Sequence, residues 1–205
     1  MSIINKLSTS LNRRDELPNI KLAKEIADKN DKNAAKELIE TLQNKSLQND
    51  SIKVIYEIGE RKPALIAGYA KEMIALLEHK NNRLQWGAMT ALHTITLENP
   101  KVIYAGLGKI IAAADRGSVI TKDYAVNILI TLCSIKNYAS NAFSLLIEQL
   151  KGSPVKQLPM YAEKAMPVIN DTNKLLFIKT LVSRLDDIEK DTKRKRVEKV
   201  IKKFS

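Results

Sequence analysis

Apolar side chains recur along this chain at a spacing that suits a helix and then repeats as a block. Ile58, Ile95, Leu132 and Ile169 stand 37 residues apart. The same step links Ile55, Leu92, Leu129 and Met166, and again Val54, Ala91, Ile128 and Ala165. A fourth set, Ser51, Ala88, Ala125 and Ala162, is small throughout. Within one block these four positions fall on a single helical face. Each block predicts two helices. The first carries the phased face, as in Leu84 to Glu98, and is followed by a polar break. The breaks read Glu60-Arg61-Lys62-Pro63, Glu98-Asn99-Pro100, Lys136-Asn137 and Asn170-Asp171. Pro63 and Pro100 are in phase and suit the first turn of the second helix, where no backbone donor is missed. That second helix is expected over Pro63–Glu78, with Leu65, Ile66, Tyr69, Met73, Ile74 and Leu77 apolar. Polar links such as His79-Lys80-Asn81-Asn82 or Gly152-Ser153-Pro154 close the block.

An upstream pair has a shorter spacing, with Ile20, Leu22, Ala23 and Ile26 in Pro18–Lys29 and Ala35, Leu38, Ile39 and Leu42 in Lys32–Asn44. Ile3, Ile4, Leu7 and Leu11 suggest a short capping helix. A last helix is expected from Asp187 to Phe204, with Val197, Val200, Ile201 and Phe204 as its apolar stripe. A helix with one apolar stripe must bury it on a neighbour, and stacked pairs do so by forming a continuous core. The expectation is therefore an all-α single domain over residues 1–205, a right-handed α-solenoid of antiparallel helix pairs. Its repeats fall at about 16–45, 47–80, 84–117, 121–152 and 155–186, and a basic helix at 187–204 ends it.

The stretch from Leu77 to Ala113, LEHKNNRLQWGAMTALHTITLENPKVIYAGLGKIIAA, resembles the HEAT repeat family. The polar turn, the leucine, the small-residue run, the Ala-Leu pair and the proline-led second helix carry the likeness, which extends from Ile20 to about Leu185. It implies a HEAT-type, armadillo-like solenoid acting as a scaffold or adaptor. One slot departs from the bacterial pattern: Gln48, Gln85, Lys122 and Pro159 stand where such repeats often carry arginine.

The chain has 205 residues, few glycines (7) and prolines (6), and a charged fraction of 28%. That composition suits a helical globular protein that folds without disulfide or metal. Cys133 is its one cysteine, Met1 to Arg14 lacks the apolar core of a signal peptide, and no apolar run approaches the ~18 residues of a membrane span. A cytoplasmic protein is expected. The net charge of +11 is weighted towards the C-terminal end. Residues 1–60 balance ten basic against ten acidic side chains, whereas residues 151–205 carry fourteen against seven. Such asymmetry suits an acidic partner or simply solubility.

The candidate chemistry is that of binding. His79 and His93 are the only histidines, and neither they nor Cys133 has metal-ligand spacing, so no metal or cofactor is expected and no catalytic set emerges. Ala105-Gly106-Leu107-Gly108-Lys109 lacks the spacing and preceding strand of a phosphate loop. It reads better as a close approach of second helices at the in-phase small residues Gly68, Ala105 and Ala142, with a smooth low-polarity docking patch from Tyr104 to Ala114 as the second reading. Trp86 has mostly polar phase-mates, Asn49, Asp123 and Met160, which points to partial exposure. With Tyr124 and Tyr161 in the neighbouring phase it forms the candidate partner-binding set. Lys193, Arg194, Lys195, Arg196, Lys199, Lys202 and Lys203 form the candidate phosphate-binding set. The competing reading of that run is a solvated helix with Glu189–Lys193 and Asp191–Lys195 pairs. A protein partner is expected first and nucleic acid second. A more distant resemblance, to bacterial HEAT-like alkylpurine DNA glycosylases, implies aromatic residues with an acid and an arginine. Asp115-Arg116 is such a pair, but it falls at a predicted helix end.

Overall fold

The computed structural model describes residues 2–204, and all regular structure among them is helical. The helices are α1 (Leu17–Lys29), α2 (Lys32–Thr41), α3 (Gln48–Arg61), α4 (Ala70–Leu76), α5 (Asn82–Thr94), α6 (Pro100–Ala105) and α7 (Leu107–Arg116). They continue as α8 (Val119–Cys133), α9 (Ala139–Gly152), α10 (Leu158–Ala165), α11 (Lys174–Val182) and α12 (Asp191–Phe204). The chain packs as two compact units, Met1–Ala125 and Val126–Ser205, so the boundary falls inside α8.

In the first unit the 37-residue pattern does what its geometry requires. Ile55, Ile58, Leu92 and Ile95 are fully buried, as are Ser51, Ala88 and Ala125. Small residues in that last phase let successive first helices lie close. The closest approaches are at glycines: a Cβ on Gly87 would stand 2.6 Å from Ile52 Cγ1, and one on Gly59 only 2.1 Å from Thr94 Oγ1. The expected approach at Gly68, Ala105 and Ala142 is therefore corrected. Gly68 has open space around it and Ala105 is exposed, while Ala142 is buried.

Pro63 and Pro100 stand in the first turn of the segments they open, as their fixed φ allows. The second helices are nonetheless shorter than the periodicity suggests. Residues 63–69 form two 3-10 turns before α4 begins. The next copy is interrupted at Gly106 (φ −89°, ψ 1°), which closes α6 and opens α7. Glycine has poor helix propensity, and here its missing side chain also leaves room for Ile74, whose Cδ1 would lie 2.5 Å from a Cβ.

The upstream pair turns through a tight corner. Asn30 adopts the left-handed conformation (φ 53°, ψ 41°), and its N–H and that of Asp31 close the last turn of α1. Asp31 then caps α2 by accepting from the Ala34 N–H at 2.9 Å. The N-terminal segment is a short 3-10 turn, Ile3–Lys6, tied down by a polar junction. Ser8 N–H donates to Asn19 Oδ1, Asn19 Nδ2 donates to Asp50 Oδ1, and Thr9 N–H donates to Asp50 Oδ2. Asn19 and Asp50 are buried, so these bonds satisfy groups that would otherwise be costly to desolvate.

In the second unit Ile128, Leu129 and Leu132 remain in the core, but the fourth copy is cut short. α10 stops at Ala165 because Pro167 cannot donate to the preceding turn and clashes with it. Ile169 consequently sits in extended backbone (φ −89°, ψ 131°) and, like Met166, is only half-buried. The last helix does not project. α12 packs on α10 and α11, burying Val197 and Val200, and Phe204 meets Phe177 edge-on at 6.0 Å.

Candidate functional site

Three helices of the first unit bring an aromatic and ionic cluster together. Lys53 and Tyr56 lie one turn apart on α3, Trp86 lies on α5, and Glu16 stands at the start of α1. The Tyr56 and Trp86 rings are 5.7 Å apart and tilted. Tyr56 is buried and backs Trp86, which is half-buried. Lys53 Nζ sits 4.8 Å above the Tyr56 ring, and the Arg83 guanidinium lies 5.8 Å from the Trp86 ring. A cation over an aromatic face is favourable, more so as water is removed. Lys53 is 7% exposed and stays charged because Glu57 (2.8 Å) and Glu16 (3.1 Å) both pair with it. Burial alone would lower the Lys53 pKa, but the hydrogen bonds it makes to Glu57, Tyr56 and Glu16 raise it on balance. Burial likewise opposes ionisation of Glu16 and Glu57, and their cationic partners still hold both carboxyls below the usual value. Arg83 pairs with Glu16, and Arg61 with Glu57 at 2.5 Å.

The aromatic row continues towards α8. Thr90 Oγ1 donates to the Trp86 carbonyl at 2.9 Å, and a side-chain hydrogen bond joins Thr90 to Tyr124. Tyr124 stacks against His93 at 5.5 Å, both half-buried, and burial raises its phenol pKa. Trp86 and Tyr124 are both half-buried in the first unit. Tyr161 does not join them. It lies in the second unit, 1% exposed, because it follows Leu158 by one turn and extends the α10 core stripe. Its assignment to a binding surface is corrected on that ground.

Periodicity marked neither Lys53 nor Glu16 as functional, because Glu16 precedes the irregular upstream pair and its contact with Lys53 arises from packing.

The basic run on α12 is partly neutralised. Arg196 forms a two-pronged pair with Glu163, at 2.8 and 2.6 Å, which holds that carboxyl low. Lys195 pairs with Asp191 at 2.7 Å, and Arg194 with Glu198 at 3.1 Å and Asp186 at 3.4 Å. The expected Glu189–Lys193 pair is replaced by a bond from Lys193 Nζ to the Lys156 carbonyl. Lys199, Lys202 and Lys203 are exposed and form no ion pair closer than 4 Å among the described residues. Lys199 and Lys203 rim a cleft of about 550 Å³ with Arg196 and Glu163, over Met166 and Val200.

Other sequence candidates have structural duties. Arg116 turns its guanidinium to the Ala112 and Leu77 carbonyls at a helix end, rather than joining Asp115 in a site. Arg184, which the sequence did not single out, ends α9 by donating to the Leu150, Lys151 and Ser153 carbonyls. Cys133 is half-buried, and burial pushes its thiol up to about 12, far from a reactive thiolate. Among the described residues no group of three or more His, Cys, Asp and Glu side chains is placed to hold a metal ion, and no helix is long and apolar enough to cross a membrane.

These features define an all-helical protein. No protein-family model matches the chain, and no curated protein matches it. Among solved structures it is similar to the crystal structure of an engineered protein from the Northeast Structural Genomics Consortium. The TM-score is 0.61 at 16% identity, over 100% of this chain and 98% of that one. At that identity the likeness concerns the fold alone.

Proposed function

We propose that this chain is a HEAT-like helical-repeat adaptor, working in the cytoplasm, whose task is to bind a protein partner rather than to catalyse. The observation that carries this reading is the half-buried Trp86, seated on buried Tyr56 with the Arg83 guanidinium at its ring, while Tyr124 and His93 form a second ring pair in the same unit. Tryptophan, tyrosine and arginine on a rigid support are the residue types that dominate binding hot spots. Ion pairs beside the rings link α1, α3 and α5 and hold that support together. The 37-residue phasing supports the repeat assignment.

Trp86 is the only tryptophan, so its emission reports on this surface alone. A partner recovered with the wild-type chain should shift that emission on binding. It should lose at least about tenfold in affinity against Trp86→Ala, about 1.4 kcal/mol. A partner that binds Trp86→Ala and Tyr124→Ala as well as wild type, with no change in emission, would remove the proposal. The second reading is nucleic-acid binding through Lys199, Lys202 and Lys203, favoured by their lack of ion pairs among the described residues. Fluorescence anisotropy with duplex DNA and single-stranded RNA, at low and near-physiological salt, separates the two.

A further inference from the structure

A second surface of the first unit, lined by none of the residues of the Trp86 cluster, combines apolar and cationic chemistry. Between α4 and α6 runs an open groove of about 570 Å³, lined by Lys71 and Ile74 from α4 and by Lys101, Val102, Ala105, Gly106 and Lys109 from the next segment. The side-chain-poor run at residues 105–109 forms one side of it. Ala105 contributes only a methyl group, and the nearly buried Ile74 fills the room that a Cβ on Gly106 would need. The floor is therefore aliphatic, while the three lysines stand exposed around it. Lys109 is paired with Glu78 at 2.7 Å across a half-exposed contact, and Lys71 and Lys101 make no ion pair among the described residues.

We infer that this groove docks an acidic amphipathic helix of a protein partner. Apolar side chains at one helical face would cover Ile74, Val102 and Ala105, and carboxylates beside that face would meet Lys71, Lys101 and Lys109. Helix-in-groove recognition works in this way, with anchors at i, i+3, i+4 and i+7. The floor decides the class of ligand. A phosphate backbone gains nothing from aliphatic surface, whereas a helix gains by removing it from water. The lysines decide the sign of the partner. Exposed ion pairs contribute little affinity each, but juxtaposed like charges exclude a basic helix.

The test uses the full chain and labelled designed peptides of one length. One carries leucines at the anchor positions and glutamates elsewhere; a second has the same composition in scrambled order; a third has lysine for every glutamate. The acidic amphipathic peptide should bind with an anisotropy rise that weakens with salt, and the other two should not. Ala105→Glu, which places a carboxylate on the floor, should weaken it at least about tenfold, and so should the triple variant Lys71→Glu, Lys101→Glu and Lys109→Glu. Circular dichroism and thermal midpoint confirm that both variants stay folded, and their exposed positions make that the expected result. Trp86→Ala should bind the peptide unchanged, which separates this groove from the surface proposed above. Equal binding of the scrambled peptide, unchanged binding to Ala105→Glu, or no binding up to about 1 mM would overturn the inference. A duplex or anionic vesicle that binds these lysines and displaces the acidic peptide without needing the floor would overturn it too.

Discussion

At the scale of single residues, the absence of a side chain carries as much of this structure as any contact. Gly59 sits inside α3, where glycine costs conformational entropy relative to alanine. It is tolerated because Thr94 occupies the space, and Thr94 Oγ1 is held there by its own bond to the Ala91 carbonyl at 2.7 Å. A Cβ at position 59 would also lie 3.0 Å from Ile66 Cδ1. Helix propensity alone says that Gly59→Ala stabilises the chain, and packing says the opposite. Packing should win, because relief requires breaking the Thr94 bond and moving α5. Gly59→Ala should destabilise by about 1–3 kcal/mol, as overpacked cores do, read as a lower urea midpoint. Gly59→Ala combined with Thr94→Ala should recover most of the loss. A stabilised single variant would show that α3 and α5 separate freely.

At the scale of elements, α1, α3 and α5 are joined by charge as well as by apolar surface. Lys53 is nearly buried between Glu16 and Glu57, and Arg61 and Arg83 close the set. The pH behaviour follows from the sign of the shifts. Glu16 and Glu57 are both held below their ordinary value of 4.5. Their stabilisation is therefore fully present above that value and is lost as pH falls through it towards their folded values. Glu57→Gln should cost about 1.5–3 kcal/mol at neutral pH, the scale of a hydrogen bond to a charged group. The gap between wild type and variant should narrow as pH is lowered from about 6 to about 3.5. Thermal midpoints across that range check it, and a gap that widens on acidification would contradict the assigned network. This part of the structure was only half legible beforehand. Lys53, Glu57 and Arg61 follow one another at i, i+4, a local pattern. Glu16 meets Lys53 only through the packing of a terminal, irregular pair onto α3, and no local pattern carries that information.

At the scale of the whole molecule, what could be read in advance was whatever repeats. The helices, the proline-led breaks and the buried phased face all follow from a periodicity that each copy satisfies locally. The exceptions arise where one residue overrides the period: Pro167 ends α10 before Ile169 can join the core, and Gly106 splits a helix that the pattern runs through. The candidate binding residues divide in the same way. Trp86 has mostly polar phase-mates and is half-buried, whereas Tyr161 continues an apolar stripe and is fully buried. Charge was the least legible property, because composition counts cations without their partners. Seven basic side chains lie between Lys193 and Lys203, and Arg194, Lys195 and Arg196 already have carboxylates. Only unpaired cations release counterions when they meet phosphate, so the salt dependence of nucleic-acid binding counts them. Lys193, Lys199, Lys202 and Lys203 would give a slope of log K against log salt of about −3.6 on duplex DNA, against about −6.3 if all seven took part. Anisotropy titrations over a range of salt should therefore show a shallow slope or no binding. A slope near the steeper value would mean that the pairs with Glu163, Asp191 and Glu198 open on contact. α12 would then be a dedicated phosphate-binding element and not a packed helix with a solvated face.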